Sequence, residues 1–210
     1  MITVTRKTSE STITVRLDPS GVTPDYRAQI NTPLAFLNHM IEHIVWRSGV
    51  GLAVEVKLDR FELAHLVCED VAVTIGKAVL EHVTDGRGRG VTGYGDGVGI
   101  IDEARVTAAI SFEGRAGLYF SGAELVPAST EGMNSEDLMT FLEGFVQGAN
   151  CTLHIDVWRS ANGHHIWEAA FRALGIALGR AFEHVPRRTG FTAGVAGAIS
   201  FDVRKDERAL

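Results

Sequence analysis

Residues 152–178, TLHIDVWRSANGHHIWEAAFRALGIAL, read as a strand, a short loop and a helix, and the same order of residue types occurs 99 to 101 positions earlier. TLHIDVW alternates apolar and polar side chains, the period of a half-buried strand, whereas HHIWEAAFRALGIAL spaces its apolar residues three and four apart. At an offset of 101, Leu52 meets Leu153, Val54 meets Ile155 and Val56 meets Val157. The register runs back through a preceding helix, where His39 falls on Thr140 and Glu42 on Glu143. Two residues then drop out of the loop, and at an offset of 99 His65 meets His164, Glu69 meets Glu168, Gly76 meets Gly175 and Ala78 meets Ala177. A fixed period with one change of spacing predicts an internal duplication. The expected organisation is one domain of two halves, 1–90 and 91–195, followed by a tail over 196–210.

Working outward, each half reads as an alternating hairpin, an amphipathic helix, a strand and a second helix. In the first, STITVRL at 11–17 and LAVEVKL at 52–58 alternate as strands, and 34–47 places Leu34, Leu37, Met40 or Ile41, and Ile44 at helical spacing. A second helix spans 67–83 and stops at Thr84-Asp85-Gly86. The second half predicts strands near 104–112, 117–122 and 152–158 and helices near 135–149 and 164–183, with a loop at Pro127 and 129–132. The glycine-rich stretch 86–99 is expected to be a hinge. Its GRGRGVTGYGDG lacks the spacing of a nucleotide-binding loop. Antiparallel strands with helices gathered on one face predict an α+β fold.

The chain has 210 residues, is 45% apolar and 22% charged, and carries a net charge of −6. It can bury a sizeable core and has no basic stripe for a nucleic-acid backbone. No apolar run is long enough to span a membrane, the opening residues MITVTRKTSE hold no apolar leader, and the two cysteines, Cys68 and Cys151, are far apart. A cytoplasmic protein with free thiols and no nucleic-acid or membrane partner is expected.

His65 and Glu69, and His164 and Glu168, stand four apart on predicted helices, so each pair shares a face. Either pair alone reads as a surface hydrogen bond or as two ligands for a Zn, Mn, Fe or Ni ion. Their recurrence in both halves, with His165 next to His164, favours metal. His43 reads as a helix-surface histidine, His154 and His184 as non-ligands, Cys68 as a buried thiol, and Trp46, Trp158 and Trp167 as packing residues.

Three stretches, TPLAFLNHMI at 32–41, HLVCEDVAVTIG at 65–76 and TLHIDVWRSANGHHIWEAAFRALGIAL at 152–178, resemble the signature segments of the imidazoleglycerol-phosphate dehydratase family. Weaker echoes at RKTSES (6–11), Asp102-Glu103-Ala104 and Gly114-Arg115 extend the likeness over nearly the whole chain. The resemblance implies two homologous halves, each a four-stranded sheet with two helices, the helices between the sheets. It implies a metal-dependent hydro-lyase of histidine biosynthesis, using Mn(II) or another divalent transition metal, and a trimer-based homo-oligomer of as many as 24 subunits. Its substrate would be a small polar or imidazole-bearing molecule. The site residues it implies are His39, His65, Glu69, His164, His165 and Glu168 for metal, Glu10 and Glu168 for catalysis, and Glu103, Arg115 and Arg172 for substrate.

The chain departs from the family pattern at Leu66 and Thr140, where histidines are expected, at Ala64 and Gly163, where aspartates are, and at Thr92-Gly93 and Gly194-Val195-Ala196-Gly197, where phosphate-binding arginine, hydroxyl and lysine groups are. If one ion takes His39, His65, Glu69 and His165, both lost imidazoles fall on its symmetry mate, and one ion per chain results. If each glutamate takes the other grouping, both sites lose one ligand. The first partition is preferred. A hydro-lyase with a diverged substrate is expected, the alternative being a non-catalytic binding or assembly paralogue.

Overall fold

The computed structural model describes residues 1–87 and 89–204; Gly88, within the expected hinge, and 205–210, within the expected tail, lie outside the described residues. Strands β1 (Ile2–Lys7) and β2 (Ser11–Asp18) form the first hairpin, with Val4 opposite Val15. Ile13, Val15 and Leu17 of β2 are buried, as the alternation requires. There follow β3 (Ile30–Asn31), α1 (Ala35–Ser48), β4 (Gly51–Leu58) and α2 (Ala64–Arg87). The remainder is β5 (Tyr94–Ile101), β6 (Ala104–Ser111), β7 (Gly117–Ser121), the two-residue strands β8 (Ser129–Thr130) and β9 (Met133–Asn134), α3 (Ser135–Ala149), β10 (Thr152–Arg159) and α4 (Gly163–Ala181).

The expected α+β class holds. Two four-stranded sheets run β1-β2-β4-β3 and β5-β6-β10-β7. In the first, β4 pairs antiparallel with β2 and parallel with β3; in the second, β10 does the same with β6 and β7. Helix α2 lies on β1 and β2, α4 lies on β5 and β6, and the helices meet as α2 against α3 and α1 against α4. Leu37, Met40, Phe141, Phe145, Trp167 and Phe171 belong to one continuous core. No helix among the described residues is long and apolar enough to cross a membrane.

The glycine-rich stretch differs from expectation. Residues 94–101 form an edge strand, and α2 extends to Arg87. Gly95, Gly97 and Gly99 face α4, where an added Cβ would lie 2.0, 2.5 and 1.9 Å from the carbonyl oxygens of Ala177, Ala173 and Ala169. The alternating glycines let α4 lie directly on the strand backbone, a close approach rather than a hinge.

Candidate metal centre

Because α4 packs beside α1, the histidines of α1 face the first turns of α4. Asn162 caps that helix, its side chain accepting from the His164 amide at 2.9 Å, so α4 starts where His164 and Glu168 share a face. Glu168 is buried, at 4% exposure. Its Oε2 lies 3.3 Å from His164 Nε2 and 3.6 Å from His39 Nε2. Its Oε1 pairs with Arg172 and lies 3.3 Å from His43 Nε2, which is itself 3.4 Å from His39 Nε2. One oxygen therefore faces two imidazoles and the other faces a guanidinium and a third imidazole.

The outer nitrogens of the first two rings face carboxylates. His164 Nδ1 lies 3.0 Å from Glu131 Oε1, and His39 Nδ1 lies 3.7 Å from Glu42 Oε2. An ionised carboxylate only accepts, so His164 donates from Nδ1, and in the neutral ring its Nε2 is a lone pair. In that form Nε2 meets Glu168 Oε2 acceptor against acceptor, an opposition that a second proton on the ring or a metal cation between the two atoms relieves. Donor atoms of His39, His164 and Glu168 all lie within 4.8 Å of one another. Ligands at about 2.1 Å in tetrahedral array stand about 3.4 Å apart. The donor set and its spacing fit a divalent transition metal.

Burial holds His43 down to about pKa 4; Glu168 opposes the shift, and His39, Arg172 and Arg47 add to it. Its ring is neutral at neutral pH. Expected at the helix surface, His43 instead stands half-buried in this group, its place four after His39 putting both on one face. Glu131 joins from a hairpin 33 residues away in the chain, a separation that leaves no local signal in the sequence.

The other expected residues fall elsewhere. His65 lies beside α3, its Nδ1 3.5 Å from Thr140 Oγ1 and 4.0 Å from Asp137 Oδ1. His165 donates from Nδ1 to Glu103, 3.0 Å from Oε2, and its Nε2 is 3.9 Å from Asp102. Within one chain, then, His39 groups with His164 and Glu168, not with His65, Glu69 and His165. The reason is helix pairing: α1 adjoins α4 and α3 adjoins α2. Thr140 takes the place beside His65 that His39 takes beside His164. Arg172 directs Nη1 to the Ile100 carbonyl at 2.7 Å and Nη2 to Glu168. Arg115 is exposed, 3.8 Å from Glu113, and Glu10 is exposed on the β1–β2 turn. Thr92 Oγ1 donates to main-chain carbonyls at the end of α4, and residues 194–197 present no charged group.

Comparison with known proteins agrees with this architecture. Residues 32–178 match the family described as imidazoleglycerol-phosphate dehydratase. The chain is 38% identical to the imidazoleglycerol-phosphate dehydratase of Ralstonia nicotianae, over 93% of this chain and 97% of that protein, and 36% identical to that of Alcanivorax borkumensis, over 94% of each. Among solved structures, the Staphylococcus aureus imidazoleglycerol-phosphate dehydratase superposes with a TM-score of 0.73 at 29% identity, covering 88% of this chain and all of that one. The Pyrococcus furiosus enzyme in complex with (S)-C348 gives 0.77 at 26% identity, covering 93% and 100%. The chain belongs to the imidazoleglycerol-phosphate dehydratase family, a family of metal-dependent hydro-lyases.

Proposed function

We propose that this hydro-lyase removes water from a small imidazole-bearing polyol and holds one divalent transition metal ion, such as Mn(II), per chain at His39, His164 and Glu168. The observation that carries the reading is the contrast between those three converging donors and their topological counterparts Thr140, His65 and Glu69, which keep one imidazole and one carboxylate. The ion supplies Lewis acidity toward the substrate's imidazole ring. The chain's own groups prepare the place: Arg172 and His43 hold Glu168 Oε1, Glu131 and Glu42 face the outer nitrogens of His164 and His39, and Phe36 packs 5.3 Å from the His164 ring centre.

Glu168, enclosed by these partners, acts as a ligand, and Glu10, exposed on the β1–β2 turn, is the carboxylate that the family resemblance offers for proton transfer. Glu103 accepts from His165 Nδ1 and fixes that ring, and Arg115 supplies an exposed cation. The loss of hydroxyl and ammonium groups at 194–197 supports a substrate held less by phosphate than the family's namesake. Each charge-assisted hydrogen bond lost is worth ~1.5–3 kcal/mol. The two topologically matched sheets support an origin by duplication, with halves at 1–90 and 91–195, and the family supports a homo-oligomer built on trimers. The cytoplasm suits the two buried free thiols.

Elemental analysis of protein purified with Mn(II), together with dehydration assays on imidazoleglycerol phosphate and on imidazoleglycerol, tests the reading. One ion per chain and comparable turnover of both compounds are expected. Two ions per chain would overturn the single site, turnover of the phosphate ester alone would overturn the altered substrate, and no ion after supplementation would leave the non-catalytic paralogue.

A further inference from the structure

We infer that Glu131 is a positioning residue for the metal centre, fixing His164 with Nδ1 protonated and the Nε2 lone pair aimed at Glu168. The inference rests on the metal reading above. The contact itself is short, 3.0 Å from Glu131 Oε1 to His164 Nδ1, across a sequence separation of 33 residues. A carboxylate on the outer nitrogen of a ligating imidazole selects the tautomer and raises the ring's basicity, and loss of such a partner weakens metal binding roughly 10- to 100-fold.

The turn that presents Glu131 points the same way. β8 and β9 are joined by two residues, Glu131 at φ +50° and Gly132 at φ +79°. Two-residue hairpin loops with both φ values positive favour Asn, Asp and Gly, because the left-handed region crowds longer side chains. Local turn chemistry therefore does not account for a glutamate; its reach to His164 does.

The hairpin is seated on α4 itself. An added Cβ at Gly163 would stand 2.4 Å from Pro127 Cγ and 2.5 Å from Thr130 Oγ1, so only glycine at the first residue of α4 lets the hairpin approach. The fully buried Trp167 donates from Nε1 to Ser135 Oγ at 3.2 Å, and Ser135 donates from Oγ to the Pro127 carbonyl at 2.5 Å. One turn of α4 thus carries the ligand His164, the gap at Gly163 that admits the hairpin, and the indole that anchors it. An exposed carboxylate is held in register with a ligand by a buried lock.

Glu131→Gly and Glu131→Gln separate positioning from folding. Glycine is the residue the turn prefers, so that variant is expected to melt no lower than the unsubstituted chain, yet to bind Mn(II) with a Kd roughly 10- to 100-fold weaker. Glutamine keeps the length and an acceptor oxygen and is expected to recover much of the loss. Nitrogen NMR of the metal-free chain, recorded at a pH high enough that the ring carries a single proton, should show His164 as the Nδ1–H tautomer, shifting toward Nε2–H in the glycine variant. An unchanged Mn(II) Kd in Glu131→Gly overturns the inference. If the unsubstituted chain takes up no Mn(II), the metal reading fails by itself, and the metal-free tautomer still decides the role of Glu131: Nδ1–H upholds it, Nε2–H overturns it.

Discussion

The surroundings of Glu168 and Glu69 show what a buried carboxylate demands and a half-buried one does not. Glu168, almost sealed from water, is met by His39, His43, His164 and Arg172. Glu69 is only half-buried on α2, and the matching position of α3 holds Thr140, whose hydroxyl reaches His65 but carries no charge. A carboxylate without water must be paired, and removing a partner leaves it stranded at a cost of several kcal/mol; a solvated one loses little. Drift toward a simpler side chain is therefore cheap beside Glu69 and costly beside Glu168. The asymmetry of ligands follows the asymmetry of burial.

The most damaging way to break this contrast is Glu168→Ala, which strands Arg172 and disperses the histidines. Destabilisation of about 3–5 kcal/mol in denaturant melts and loss of Mn(II) binding are expected, whereas Glu69→Ala should cost under about 1 kcal/mol. Equal losses at the two positions would dissolve the comparison. The converse change, Thr140→His with Leu66→His, rebuilds the poorer surroundings. Forcing a larger side chain into the buried Thr140 position costs about 1–3 kcal/mol in the metal-free chain, and Mn(II) content is expected to rise from one ion toward two.

Acid tests the same contrast more gently. His43 titrates near 4 in the folded chain against 6.5 unfolded, so between those pH values the unfolded chain binds the extra proton. The His43 contribution to metal-free stability is therefore complete above pH 6.5 and is lost as pH drops toward 4. Allowing for the water that reaches part of the ring, the loss is on the order of 1–2 kcal/mol. His43→Gln should remove that share and leave the part due to His82, which burial also holds below its ordinary value, and melts over pH 4–7 would show it. The mildest probe leaves the fold alone. Burial pushes Cys68 and Cys151 from 9.0 to about 12. Three pH units less thiolate predict native labelling at pH 8 roughly 1000-fold slower than in the denatured chain. Fast labelling of Cys68 alone would place the looser packing around Glu69.

Periodicity carried most of the fold. Strands at 11–18, 51–58, 104–111 and 152–159 and all four helices stand close to their expected places because each buries one face against a neighbour. The 94–101 strand escaped because its inward residues are glycines, which carry no hydrophobic signal and read as a flexible run. The α4 face opposite supplies the explanation, and a sequence does not show which helix lies on which strand. The candidate site was legible for the same reason and to the same limit. His164 and Glu168, four apart, are a local fact, and so are His39 and His43. That α1 rather than α2 completes the group depends on helix pairing, and Glu131 depends on a hairpin seated against Gly163.

The division of labour between the two oxygens of Glu168 has a consequence for which ions the centre accepts. With Oε1 committed to Arg172, only Oε2 is left to offer, so the side chain can bind a cation through one atom. Calcium sites gather six to eight oxygens and lean on carboxylates that give both. Here the helix that supplies the acid also supplies, four residues later, the guanidinium that withholds half of it. Excess calcium is accordingly expected to leave Mn(II) in place, a discrimination built into one turn of backbone before any imidazole is counted.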